Sequence, residues 1–428
     1  MNNNDNYASL KTLKWGGELA VLYGGDTSRA VSRYISMAEE FRAAFGDCEA
    51  YFVSAPGRTE LAGNHTDHQN GIVLCAAVTM DAAAVAAKSG DDTVRILSRG
   101  YGEISLVLDD LSPREEEKGT TQGIIRGVAA HFRRRGLAAG GLRAVVDSMV
   151  PAGGGLSSSA AFEVLIGQMF SLLYTRSGVD ALTLARIGQG AEREYFGKPS
   201  GLMDQAASAC GGITMIDFGD PDDTRVERID FDFRRHGYVL CAVDTRTSHA
   251  DLTDDYASIP EEMKMAANAL GGELLRYVDP HSLEDAAVRA KLEAILPERA
   301  ILRAEHFFAE NARVPLMADA LRRGDMEAYI RLMNQSGASS REKLQNVIPS
   351  CHPDQDQMAV ALDRAEALLK GKGAWRIHGG GFAGCIQCLV PEDDYPGFER
   401  AMDAYYGDGA CFELRIRHCG PHVLGTGI

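Results

Sequence analysis

Four clusters in this sequence concentrate residue types that do chemistry. Pro151 to Ala160 reads Pro-Ala-Gly-Gly-Gly-Leu-Ser-Ser-Ser-Ala, directly ahead of an apolar helical pattern that begins at Ala161. Glycines let backbone approach a ligand closely, and the unpaired N–H groups of a first helical turn, together with the helix dipole, favour phosphate oxygens. No Lys follows the last Gly, so this is not a Walker A loop. Three consecutive glycines are costly to order without a ligand, which favours phosphate binding over a plain surface loop ending in a serine N-cap. Ala55 to Gly71 packs Arg58, Glu60, Asn64, His65, Asp67, His68 and further amides into a turn-rich segment between two strand patterns. Alternating donors and acceptors of this density suit the hydroxyls of a sugar. A metal held by His65, Asp67 and His68 fits less well, because the two histidines lie three apart in a loop. Ile377 to Cys385 holds Gly379, Gly380, Gly381 and Gly384, which reads as an anion-cradling or tight-packing turn. Cys385 and Cys388 form a CxxC, but they sit in an alternating pattern with no second pair, so buried strand cysteines are expected. In Gly201-Leu-Met-Asp-Gln205, Asp204 falls near a helix start, where it reads equally as a dipole-complementing carboxylate or as a catalytic group.

The elements that must position these groups can be read from periodicity. Ser28 to Gly46 carries Val31, Tyr34, Ile35, Ala38, Phe41 and Phe45 at helical spacing, after a polar leader over residues 1–27. Strand patterns follow at Tyr51–Ser54, Ile72–Val78, Val94–Ser98 and Ile104–Leu108. Helices are expected over Ser159–Tyr174 and Leu182–Tyr195, then strands at Ile213–Phe218 and Tyr238–Asp244. Glu261 to Met333 and Asp354 to Leu369 read as helical, and strands return at Trp375–Pro391 and Cys411–Arg417. The implied domains are 28–220 and 221–428.

Composition bounds the function classes. A chain of 428 residues exceeds a small stapled scaffold and suits two or three domains. With 60 acidic and 44 basic residues the net charge is -16, which opposes any nucleic-acid partner. The odd count of 9 cysteines and an N-terminus without a basic flank or apolar run imply a cytoplasmic protein. The absence of any apolar stretch of about 18 residues implies no membrane partner.

Taken in order, the clusters resemble the GHMP small-molecule kinases, specifically the galactokinase family. Arg58 to Gly71 resembles the galactokinase signature, Pro151 to Ala161 the nucleotide-binding motif, and Trp375 to Cys385 the third motif. Ala191-Glu-Arg193 and Gly201 to Gln205 fall where galactokinases have their metal-binding Glu and catalytic Asp, with further similarity at Val243-Asp-Thr245 and Met333 to Ser336. Only residues 1–45 lie outside the resemblance. It implies an α+β, two-domain GHMP kinase fold, with an N-terminal mixed-sheet domain, a ferredoxin-like C-terminal domain and the site between them. It further implies an ATP-dependent sugar 1-kinase acting on the anomeric hydroxyl of galactose. Asp204 and Arg58 would be catalytic. His65, Asp67, Gly201 and Tyr256, with Glu60 and Asn64, would contact the sugar. Gly153, Gly154, Gly155, Leu156, Ser157, Ser158 and Ser159 would wrap the triphosphate of ATP, and Glu192 with the hydroxyl of Ser158 or Ser159 would hold Mg2+.

Three positions depart from the pattern: galactokinases usually carry Asn at 60, Glu at 64 and Tyr at 68, where this chain has Glu60, Asn64 and His68. The family's Glu at 64 accepts from the C6 hydroxyl of galactose. Asn64 can bind that hydroxyl and would also tolerate a C6 carboxylate, so galacturonate is the leading alternative substrate and N-acetylgalactosamine a further one. Ala383 replaces a frequent Gly in the third motif. A non-catalytic sensor of sugar and ATP is the contrasting class, and the presence of Asp204, Arg58 and Ser157 to Ser159 argues against it.

Overall fold

The computed structural model describes residues 15–25, 27–151, 155–198, 200–220, 223–248 and 252–424. Two sheets organise the chain, as the α+β expectation required. The first contains eight strands: β1 (Tyr51–Ala62), β2 (Ile72–Lys88), β3 (Thr93–Ser98), β4 (Gly102–Val107), β5 (Leu142–Ser148), β6 (Ile213–Asp217), β7 (Arg225–Ile229) and the C-terminal β12 (His422–Leu424). Its path runs β12-β1-β2-β5-β3-β4, with β6 pairing β2 and β7 beyond β6. Only β3 and β5 run parallel, which makes the sheet mixed. The second sheet has the order β11-β8-β10-β9, built from β8 (Tyr238–Asp244), β9 (Ala374–Ile377), β10 (Cys385–Pro391) and β11 (Cys411–Glu413).

Strand periodicity explains why the first sheet is covered on both faces. On β2, Ala82, Ala84 and Ala86 join a core beneath the helices Thr121–Arg134, Ser158–Tyr174 and Ala181–Ala191. Ala83, Val85 and Ala87 point the other way, into a cluster with Trp15, Leu19, Tyr34 and Phe52. Small side chains on the strand let helices sit close on either side. That burial carries β2 on to Lys88, well past the Val78 end expected from periodicity. Likewise β1 continues through Pro56 and Gly57 to Ala62, so Arg58 and Glu60 stand on a strand and not in a loop. Register shifts at Pro56/Arg58 and Glu60/Ala62 accommodate the proline and re-aim the side chains. The helix expected over Leu182–Tyr195 is α-helical to Ala191 and then widens into a π turn over Glu192–Phe196. The strand expected over Cys411–Arg417 stops at Glu413, and Ile416 makes only an isolated bridge to Val78. Cys385 and Cys388 are buried on β10, as their alternating pattern implied. Among the described residues, no helix is long and apolar enough to cross a membrane.

One buried ionic knot ties the two ends of the chain to the sheet. Asp81 on β2 is fully buried and takes Arg33 Nη1 at 2.5 Å, Tyr23 Oη at 2.6 Å and the Ser54 hydroxyl, with Arg417 Nη1 at 3.6 Å. Burial raises the Asp81 carboxyl, but Arg33 and Arg417 outweigh it and hold the group below the usual carboxylate range. Asp81→Asn leaves the fully buried Arg417 without its counter-charge and the largely buried Arg33 with Asp147 alone. The expected loss is about 3–5 kcal/mol of stability, read from urea unfolding curves at pH 7; a loss under about 1 kcal/mol would refute the assignment.

Candidate active site

β1 presents Arg58 and Glu60 on one face, two residues apart, while Thr59 between them accepts from Gln387 Nε2 at 2.6 Å and meets His378 Nε2 at 2.9 Å. Arg58 donates through Nε to Asp204 Oδ1 at 2.8 Å and approaches the same oxygen through Nη2 at 2.7 Å. Its Nη1 donates to the Gly155 carbonyl. Asp204 is the second residue of the helix Met203–Cys210, so that helix start aims its carboxylate at β1. The other carboxylate oxygen accepts from the Ser157 hydroxyl. Ser157 sits in the left-handed region at φ 54 and makes no side-chain cap of its own helix; its hydroxyl serves Asp204 instead. Burial raises the Asp204 carboxyl, but Arg58, Ser157 and Lys198 more than offset it, leaving the group below the ordinary carboxylate value.

The segment after β1 is held by the helix Glu298–Arg323. Glu310 Oε1 accepts from Gly63 N at 3.0 Å, Asn311 Oδ1 from Ile72 N at 2.7 Å, and His306 Nε2 lies 2.9 Å from the Asn64 carbonyl. His65, at φ 58, reaches the Gly380 carbonyl at 2.9 Å and therefore carries its proton on Nε2. Tyr256 donates to the Gly381 carbonyl at 2.5 Å. Asn64 is fully buried and bonded on both ends of its amide. Its Nδ2 donates to Glu60 Oε1 at 3.0 Å and to the Gly379 carbonyl at 2.6 Å, and its Oδ1 accepts from Asn346 at 2.8 Å and Ser340 at 3.3 Å. Glu60 pairs with the fully buried Arg376 at 2.5 Å. Gly201 is there for space, since a Cβ at that position would lie 1.6 Å from Asp67 Oδ2. Burial, then the nearby Asp204, pushes the Asp67 carboxyl up to about 6. Two neighbouring carboxyls are thus driven apart, one kept ionised and one poised near neutrality.

Behind this pair lies Glu192, first residue of the π turn and 3% exposed. Its Oε1 takes Lys198 Nζ at 2.9 Å and the Ser159 hydroxyl at 3.3 Å, while Oε2 takes Gln205 Nε2 at 2.9 Å. Gln205 Nε2 also reaches Glu163 Oε2 at 2.9 Å. Burial and the Glu192 charge raise the Glu163 carboxyl well above its ordinary value.

Twelve of these residues surround one cavity of about 470 Å³. Arg58, Glu60, Asn64, His65, Asp67, Gly155, Ser157, Ser158, Ser159, Gly201, Asp204 and Tyr256 line it together, although they span nearly two hundred residues of sequence from Arg58 to Tyr256. Leu156 does not line it: its side chain is buried in the core and its carbonyl accepts from Arg58 N at 3.1 Å. Glu192 reaches the cavity only through Ser159 and Lys198. Gly153 and Gly154 lie outside the described residues. His68 does not line the cavity; its ring stacks edge-on against His65 at 5.6 Å, and among the described residues no three His, Cys, Asp or Glu side chains gather as a metal site. Lys198 and Gln205 carry no role legible in the sequence: Gln205 only closes the Gly201 to Gln205 motif, and Lys198 is a cation beside Gly197 in an acidic chain.

Residues 39–88 match the galactokinase galactose-binding signature, and residues 123–212 match the GHMP kinases N terminal domain. The chain thus carries a GHMP kinase N-terminal domain and, ahead of it, a galactokinase galactose-binding signature. The signature covers β1, the Asp67 segment and β2, and the domain match runs from the Thr121–Arg134 helix through the serine loop to the Asp204 helix. Among solved structures, the Lactococcus lactis galactokinase complexed with galactose superposes with a TM-score of 0.77 at 24% identity, covering 90% of this chain and 98% of that one. The Methanococcus jannaschii mevalonate kinase follows the same fold with a TM-score of 0.59 at 15% identity, covering 86% and 98%. A Streptococcus pneumoniae phosphomevalonate kinase in complex with phosphomevalonate and AMPPNP has a TM-score of 0.57 at 12% identity, covering 87% and 99%. By these matches the chain is a galactokinase-like phosphotransferase with an alcohol group as acceptor, a sugar kinase by its signature.

With Asp67 as a sugar contact, its environment predicts a pH dependence. A carboxylate accepts from sugar hydroxyls better than a carboxylic acid does, so sugar affinity should rise with pH through about 6, where Asp67 ionises. The KM for sugar measured from pH 5 to 8 is expected to climb on the acid side, and Asp67→Asn to give a weaker but flat profile. An identical acid limb in the Asn variant would assign the titration elsewhere.

Proposed function

We propose that the protein is an ATP-dependent galactose 1-kinase, making galactose 1-phosphate. The observation that carries this reading is Asp204, held between Arg58 and Ser157 on the wall of the cavity and flanked by the start of the Ser158–Tyr174 helix. The helix N-terminus and Ser157 to Ser159 would receive the triphosphate, and the Asp67, His65 and Tyr256 side the sugar. Nucleotide binding at this fold has a precedent in the phosphomevalonate kinase neighbour with AMPPNP. In the transfer, the anomeric oxygen forms a bond to the γ-phosphorus as the bond from that phosphorus to the β-phosphate oxygen breaks, and ADP departs. The hydroxyl proton passes to Asp204. A carboxylate held below its ordinary value is a weak base, so Asp204 orients the hydroxyl and takes the proton late. Arg58 neutralises charge spread over the γ-phosphate oxygens in a loose transition state. For Mg2+, the buried Glu192 carboxylate with the Ser159 hydroxyl on the same oxygen is a fitting hard-oxygen pair, with Ser158 beside it on the cavity wall. When bound there, the ion would supply positive charge to the phosphates.

The C6 group is the finer question. Asn64 has both amide ends bonded to protein, whereas Glu60, held by Arg376 and Asn64 through Oε1, brings a carboxylate to the same stretch of wall. A C6 hydroxyl can donate to that carboxylate, and a C6 carboxylate would be repelled by it. Galactose is therefore preferred to galacturonate.

With ATP and Mg2+, galactose should exceed galacturonate in kcat/KM by about tenfold or more, with glucose and N-acetylgalactosamine completing the panel. Dominance of galacturonate would overturn the specificity, and tight sugar binding without turnover would return the sensor. Asp204→Asn should lower kcat about 10²–10⁴-fold while sugar binding, followed by calorimetry, is retained. Near-normal turnover in that variant would sink the role given to Asp204.

A further inference from the structure

The cavity wall holds two positively charged side chains among the described residues, Arg58 and Lys198. Arg58 is committed on three nitrogens, to Asp204 and to the Gly155 carbonyl. Lys198 is different in kind. Its side chain is 55% exposed, it follows the end of the π turn by two residues, and its bonded partner is Glu192 Oε1 at 2.9 Å. That oxygen is the one shared with Ser159 and offered above to a divalent cation.

We propose that Lys198 is a mobile catalytic cation, parked on Glu192 in the free enzyme and transferred to the γ-phosphate when nucleotide and divalent cation arrive. The proposal rests on the phosphotransferase reading of this site. Two cations cannot share one carboxylate oxygen at contact distance without strong repulsion, because like charges at about 4 Å cost several kcal/mol even at an effective dielectric constant of 20. A divalent cation claiming Glu192 therefore frees the ammonium. The flexible four-carbon stem and three rotatable donors of lysine let it follow the nearest anion. Ser157 to Ser159, where the triphosphate is placed, line the same cavity as Lys198. The swap keeps Glu192, which is 3% exposed, paired in both states, so its charge is never buried alone. It also times the delivery of a second side-chain charge to the transferring phosphoryl group, which a chain of net charge -16 does not supply in bulk.

The test compares wild type with Lys198→Met and Lys198→Arg. First, Mn2+ is titrated into the nucleotide-free proteins and free ion is followed by electron paramagnetic resonance. Removal of the competing ammonium should tighten Mn2+ binding about threefold or more in Lys198→Met, and Lys198→Arg should stay at the wild-type value. Second, with ATP and sugar, Lys198→Met should lose about a hundredfold in kcat with the KM for sugar within about twofold, and Lys198→Arg should recover part of the loss. A structural role would not tighten metal binding while slowing turnover. Equal Mn2+ affinity in wild type and Lys198→Met, or unchanged kcat, overturns the proposal. Absence of turnover in the wild type would instead overturn the kinase reading, while the Mn2+ titration would still decide whether Lys198 competes for Glu192.

Discussion

The pairing of Arg58 with Asp204 is the interaction on which the rest of the site depends. Arg58 is nearly buried on β1, and Asp204 stands at the head of the Met203–Cys210 helix. A buried guanidinium without its carboxylate would be strongly destabilising, so the pair fixes how far that helix can lie from the strand. The same guanidinium holds the Gly155 carbonyl, and the same carboxylate holds Ser157. Strand, helix and glycine–serine loop therefore converge on a single ion pair, and the cavity is the space they leave.

Around that pair the chain satisfies a large set of buried polar groups instead of avoiding them. Glu60 with Arg376, Asn64 with Asn346 and Gly379, and Glu310 with Gly63 are all buried and all hydrogen-bonded. Each bond joins the first sheet or the segment after β1 to elements of the C-terminal half. Bonds of this kind hold their members in place, because breaking one strands its partner in a medium of low dielectric constant. The wall that would meet a sugar is consequently built from side chains already anchored on their far sides, with Asp67 over Gly201 as its most strongly perturbed carboxyl.

Much of this site is legible as residue types in order. The glycine–serine stretch, the Arg58 to Gly71 cluster and Gly201 to Gln205 stand out because their compositions are costly in a plain loop, and the structure brings nearly all of their singled-out residues to one cavity. Lys198, Gln205 and Arg376 are less visible, since a lone lysine, glutamine or arginine has no local signature and gains meaning only from its partner. The extent of β1 and β2 is similar: Pro56 and Gly57 argue locally for a turn, and the alanine run to Lys88 has weak strand preference, yet burial against helices on both faces decides for strand.

By itself, then, the sequence determines the two family signatures, the α+β class and the order of the glycine-rich and polar clusters, because those depend on short-range composition and on order along the chain. The tertiary structure alone decides that Asn64 is already bonded at both ends, that Leu156 faces the core, and that Glu192 is shared between Ser159 and Lys198. Hydrogen-bond occupancy and charge competition are properties of distances between residues remote in sequence. They exist only once the strands and helices have been packed against one another.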